Sequence, residues 1–160
     1  MRRLIAFPCE GETLIGSFDE GARTTGLLIV SGGNEIRAGA HRGMALLAAE
    51  LAAEGVPVFR YDRRGVGDSG GVNRGFRAAR ADLLAACEAF RTEAPQVDRL
   101  VAFGNCDAAT TLALHGRDGG IARVLLANPW VVEPADDLPP PAAIRAHYAA
   151  RLRDPATWRR

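Results

Sequence analysis

The run "LLIV" at residues 27–30 has no polar face, and it stops abruptly at Ser31, Gly32 and Gly33. A strand that is apolar on both sides belongs in a sheet covered on both faces, the arrangement of parallel strands with helices above and below. The following segments agree. Met44, Leu47, Ala48 and Leu51 recur at i, i+3, i+4 and i+7, the spacing of one helix face, and Gly55 stands where such a helix stops. "VPVFRYD" is the next strand. Phe76, Ala79, Leu83, Ala86, Cys87 and Phe90 mark one face of a second helix, with Pro95 just beyond it. "RLVAFG", "DAATTLALHG" and "ARVLLANPW" then read as strand, helix and strand. Ahead of them, residues 3–8 and 12–18 form two short strands joined through "EGET". The order β-β-β-α-β-α-β-α-β predicts an α/β fold, a mostly parallel sheet with helices on both faces and right-handed crossovers.

A chain of 160 residues, 48% of them hydrophobic, is long enough for one domain with a real core. That core is expected over residues 1–132. From 133 to 160 the texture changes to a Pro-rich linker, followed by a short amphipathic segment with Ile144, Tyr148 and Leu152 at four-residue steps. The net charge of +1 gives no field that would gather nucleic acid or an anionic membrane. No stretch approaches the roughly 20 apolar residues of a membrane-spanning helix. Cys9, Cys87 and Cys106 are too few and too scattered for a disulfide framework, and they lack metal-ligand spacing. These features predict a cytoplasmic protein, in a reducing compartment, with no metal or organic cofactor.

The chemistry concentrates in "FGNCDAATT", residues 103–111. A strand–sharp turn–helix with small residues two before and two after the central one is a nucleophile elbow. Here the small residues are Gly104 and Ala108, and the central one is Cys106. Such a turn lifts the side chain above the carboxyl end of the sheet, where α/β proteins carry their reacting groups. The amides that open the following helix favour a thiolate and negative charge beside it. A thiol is also intrinsically nucleophilic, so it depends less on a partner base than a hydroxyl does.

These residues resemble the α/β-hydrolase superfamily, whose elbow is G-x-S-x-G, or G-x-C-x-G in dienelactone-hydrolase-like members. "YDRRGVGDS" resembles the D-x-R-G-x-G-x-S loop after the fourth strand, and "IVSGGNE" stands where the family keeps its oxyanion loop. More narrowly, "LLIVSGGNEIRAGAHRGMA", "DRRGVGDSGG", "FGNCDAA" and "LANPWV" are similar to the exosortase A system-associated hydrolase 1 family. The resemblance implies a nucleophile at Cys106. It implies an oxyanion hole from the Asp107 amide and one amide of Gly33 or Asn34, and a bracing role for the loop from Asp62 to Ser69. Ser31, His41, Asn105 and Trp130 are candidates for lining the site. The implied reaction is hydrolysis or transfer of an acyl group of a small ester or thioester through an acyl-cysteine.

Two departures stand out. Ala108 replaces the last elbow glycine. The family's late His base, its acid and its last strands have no counterpart, so the chain is expected to be either a C-terminally incomplete fragment of a longer protein, the favoured reading, or a natural truncation. His115, at the far end of the elbow helix, and His147 read as structural and surface residues. Glu133, Asp136 and Asp137 read as a solvated linker. An apolar edge left where further strands would pair favours a homo-oligomer. A non-catalytic binding protein and a redox-sensing thiol are the competing readings. "GDSGG" at residues 67–71 imitates a trypsin-like serine motif, and His41, Asp62 and Ser69 even fall in that order, but the alternating pattern is not that of an all-β protease.

Overall fold

The structure is a computed structural model that describes residues 1–132, together with Ala142, Arg145, Ala146 and Ala149. His147, Glu133, Asp136 and Asp137, and the rest of the linker and lid-like helix expected over 133–160 except Ala142, Arg145, Ala146 and Ala149, lie outside the described residues.

Strands β1 (Arg2–Cys9) and β2 (Glu12–Asp19) form a hairpin in register from Arg2–Asp19 to Cys9–Glu12. Glu10 and Gly11 both take positive φ, which suits a two-residue loop between twisted strands. Next come β3 (Thr25–Val30), a 3-10 turn (Ala40–Arg42), α1 (Gly43–Ala53), β4 (Val58–Tyr61) and α2 (Arg80–Glu93). β5 (Arg99–Asn105), α3 (Asp107–His115) and β6 (Arg123–Ala127) follow. All six strands lie in one sheet, ordered β1-β2-β4-β3-β5-β6. β4, β3, β5 and β6 are parallel, and the hairpin joins β4 antiparallel.

Side-chain alternation explains why the central strands are apolar throughout. Leu28, Val30, Phe59, Tyr61, Leu100 and Ala102 pack under α2 and α3 with Leu83, Phe90 and Leu112. Leu27, Ile29, Val58 and Phe103 face the other way, against Met44, Ala48 and Leu51 of α1. The α1 stripe read from the sequence holds for Met44, Ala48 and Leu51, whereas Leu47 is exposed. Phe76 and Ala79 are buried as expected but precede α2, in a turn. β6 is a sheet edge, and it exposes Leu125 along with parts of Val124 and Leu126.

The strand order positions the site. From β3 the chain runs by way of α1 to β4 on one side; from β5 it runs by way of α3 to β6 on the other. The loops that leave β3 and β5 therefore diverge to opposite faces and leave a crevice at their carboxyl ends, the topological switch point where α/β sheets hold ligands. Cys106 stands at the end of β5, and Gly32–Asn34 leave the end of β3.

Candidate active site

β5 ends at Asn105, and α3 begins two residues later at Asp107. Cys106 makes the whole corner alone, at φ 53°, ψ −130°. A non-glycine residue there costs on the order of 1–3 kcal/mol and persists only when its surroundings impose it. Here α3 lies directly on β5: a Cβ at Gly104 would stand 2.9 Å from the Ala108 carbonyl carbon and 2.9 Å from Leu112 Cδ1. Ala108 is fully buried against that strand. The Cys106 amide donates to Ala127 O at 3.1 Å, and Cys106 O accepts from Trp130 N (3.1 Å) and Ala109 N (3.2 Å). The Thr110 hydroxyl adds a bond to Trp130 O at 2.5 Å.

The loop after β3 forms the facing wall. A Cβ at Gly32 would stand 2.5 Å from Asn105 O and 3.0 Å from Cys106 Cβ, so only glycine admits this approach. Gly33 N donates to Asp107 Oδ1 at 2.6 Å. Arg63, 3% exposed, closes the arrangement from the β4 loop. Its Nη1 lies 3.2 Å from Asp107 Oδ2 and its Nη2 3.3 Å from the same oxygen, while Nη2 also donates to Gly33 O. Three loops thus meet around one buried ion pair.

Measured against the sequence reading, the residues divide. Cys106 and Asp107 meet Gly32 and Gly33 of the loop after β3, and Asn34 follows with its side chain on Asn73. No acceptor among the described residues meets the Asp107 amide or the Asn34 amide, but the Gly33 amide is engaged by the Asp107 carboxylate. Ser31 is buried and donates to Ile36 O at 3.3 Å, which folds the loop on itself. His41 is exposed in the 3-10 turn at φ 51°. Asn105 Oδ1 is buried without a donor. Trp130 is half exposed, and its indole N–H donates to Val132 O. The sequence reading missed Arg63 and the side-chain role of Asp107. The signal was there: an arginine inside "DRRG", next to a strand end, supplies the cation that a buried elbow aspartate requires.

The serine-protease look-alike is structural. Ser69 Oγ donates to Asp62 O at 2.7 Å and accepts from Ile15 N at 2.9 Å. Asp62 binds Arg37 and its own loop, with no histidine among its partners. No group of three or more His, Cys, Asp or Glu among the described residues could hold a metal ion. Among the same residues, no helix is long and apolar enough to cross a membrane.

The three thiols differ in kind. Burial pushes both Cys9 and Cys87 up to about 11, helped at Cys9 by the Asp82 carboxylate, to which its thiol donates at 3.6 Å. Cys106 is half-buried. At pH 7 a thiol with a pKa near 11 is about one part in ten thousand thiolate, and the thiolate is the nucleophile. Iodoacetamide at neutral pH should therefore label one cysteine per chain, located at Cys106 by peptide mass spectrometry and abolished in Cys106→Ala. Labelling of Cys9 or Cys87 should appear only as the pH rises above about 9 or the chain unfolds. Equal labelling of all three at pH 7 would contradict the burial described here.

Residues 24–156 match the family described as serine aminopeptidase, S33 (Hydrolase_4). The chain belongs to this family. Structural comparison agrees on the fold. A Pyrococcus furiosus esterase superposes with a TM-score of 0.71 at 20% identity, over 81% of this chain and 49% of that one. An α/β-hydrolase from a Penicillium species gives 0.70 at 22%, over 98% and 54%. A Xanthomonas campestris α/β serine hydrolase without a lid gives 0.66 at 21%, over 88% and 67%. The chain spans about half the length of the first two of these structures. No curated protein matches it. The S33 family is named for a serine, and this member carries cysteine at the elbow.

Proposed function

We propose that this S33-family chain carries the nucleophile half of an acyl hydrolase or acyl transferase, acting on a small ester or thioester through a covalent acyl-cysteine at Cys106. The observation that carries the reading is the strained Cys106 corner at the switch point, beside an unengaged Asp107 amide. The Cys106 thiolate adds to the substrate carbonyl carbon, a C–S bond forms, and the carbonyl electron pair moves onto oxygen. Collapse of that oxyanion breaks the bond to the leaving alcohol or thiol. Water then cleaves the thioester and returns the thiol. The Asp107 amide, with one amide of Gly33 or Asn34, receives the growing negative charge. Removing one such donor from an enzyme typically costs ~10²–10³ in rate.

Among the described residues neither His41 nor His115 hydrogen-bonds Cys106; a thiol is intrinsically nucleophilic and depends less on a partner base than a hydroxyl does, and in this reading deacylation is the slow step. The site chemistry suits a reducing, cytoplasmic setting. The quoted loops support the narrower assignment to exosortase A system-associated hydrolases. p-Nitrophenyl acetate should give a burst of one equivalent of p-nitrophenolate per chain, then slow turnover, and Cys106→Ala should remove the burst. A full burst retained in Cys106→Ala would refute the assignment.

A further inference from the structure

The Asp107 carboxylate lies where an acyl oxyanion would be expected to lie. It follows the nucleophile directly in sequence, and it takes the Gly33 amide at 2.6 Å. That amide is one of the donors the β3 loop offers to the crevice. A carboxylate oxygen on it occupies the donor as a negatively charged acceptor, as the oxyanion of a tetrahedral intermediate would. Arg63 holds the carboxylate there through both of its oxygens and is itself buried. We propose that this contact is an autoinhibitory plug: the Arg63–Asp107 pair closes the second donor of the oxyanion hole, and the crevice becomes fully competent only when the carboxylate swings away.

This inference rests on the proposed acyl chemistry at Cys106 and concerns its regulation. Two effects act together. The engaged Gly33 amide cannot receive the substrate oxygen, and a fixed negative charge beside the hole opposes a second one forming there. Arg63 offsets part of that charge but does not free the amide. The arrangement differs from a support for the hole, because a supporting residue would hold the amide's carbonyl and leave the N–H open. Asp107 does the opposite. Arg63 grips the Gly33 carbonyl, which shares its peptide unit with the Asn34 N–H and not with the Gly33 N–H, so removing Arg63 alone also loosens the next amide of the loop. The informative change is therefore at Asp107.

The test compares two reactions of the same sulfur. Acylation by p-nitrophenyl acetate passes through an oxyanion, whereas alkylation by iodoacetamide displaces iodide and forms none. Their ratio cancels changes in the thiolate fraction. Both rates are measured on the wild type, Asp107→Ser, Asp107→Asn, the double variant Arg63→Met/Asp107→Ala and Cys106→Ala, with thermal melts. The double variant guards against misfolding, since replacing a buried pair together often spares stability where removing one partner does not. The acylation-to-alkylation ratio should rise about tenfold or more in Asp107→Ser and the double variant, and by less in Asp107→Asn, which keeps an acceptor for Gly33 but loses the charge. A ratio that falls or stays level in the folded variants would overturn the plug and make the pair a support. If neither wild type nor variants acylate while iodoacetamide labels Cys106, the acyl-cysteine reading itself fails, and the plug with it.

Discussion

Phe59→Ala should lower the melting temperature by about 6–20 °C with the site residues untouched. Phe59 is fully buried on β4. Its ring stacks on Phe90 of α2, with centroids 5.7 Å apart and planes 18° from parallel, and tilts against Phe7 of β1 at 5.8 Å. Phe90 in turn meets Phe18 of β2 at 6.0 Å. This cluster ties α2 to the hairpin and to the parallel strands at once, so truncation opens a cavity that no neighbour is free to fill. Removing a buried phenylalanine typically costs about 3–5 kcal/mol. In a chain of this size each kcal/mol moves the melting point by roughly 2–4 °C. Phe59→Leu keeps more of the volume and should lose markedly less. A shift of under about 3 °C in Phe59→Ala would show that the ring is not central to the core.

Asp62→Ala should be comparably damaging, by a different cause. Asp62 is fully buried just after β4. It accepts from the Arg37 amide at 2.6 Å, from the Arg37 guanidinium, and from the Asp68 amide at 3.1 Å. Deleting one partner of a buried ion pair costs about 3–5 kcal/mol, because the remaining charge is stranded. Arg37 retains Ser17 and the exposed Asp68, which argues for the lower end of that range. Asp62→Asn also strands Arg37 but keeps an acceptor for the backbone donors, so it should cost less than Asp62→Ala. The loop held by Asp62 also carries Arg63, so hydrogen exchange of residues 63–69 should quicken in both variants. Denaturant melts showing equal loss in Ala and Asn variants would mean that the lost charge carries the whole effect and that the acceptor oxygen for the backbone donors contributes nothing.

Much of the architecture was legible because its signals are local. An unbroken apolar run, a helix-period stripe and a glycine stop each follow from the faces a segment must bury. Gly104, Cys106 and Ala108 announced the corner because steric crowding at that turn leaves few alternatives. What could not be read is what only the strand order creates. That β3 and β5 are neighbours, and that their loops diverge around a crevice, depends on pairings between residues some 70 positions apart. The Arg63–Asp107–Gly33 contact joins three such loops, so its members read separately as part of a bracing loop and as two oxyanion amides, not as an ion pair closing on one of those amides. Leu47, placed on the buried stripe by spacing alone, is exposed because α1 rests on the sheet through its alanines.

The most direct test of the account is where an acyl group goes. The chain contains no lysine, so little else on its surface competes for an activated ester at neutral pH. After brief treatment with p-nitrophenyl acetate and acid quench, tandem mass spectrometry of the peptide spanning residues 100–117 should find the acetyl group on Cys106 as a thioester cleaved by hydroxylamine. A Cys106 that stays unacetylated, yet is alkylated readily by iodoacetamide in the same sample, would contradict it.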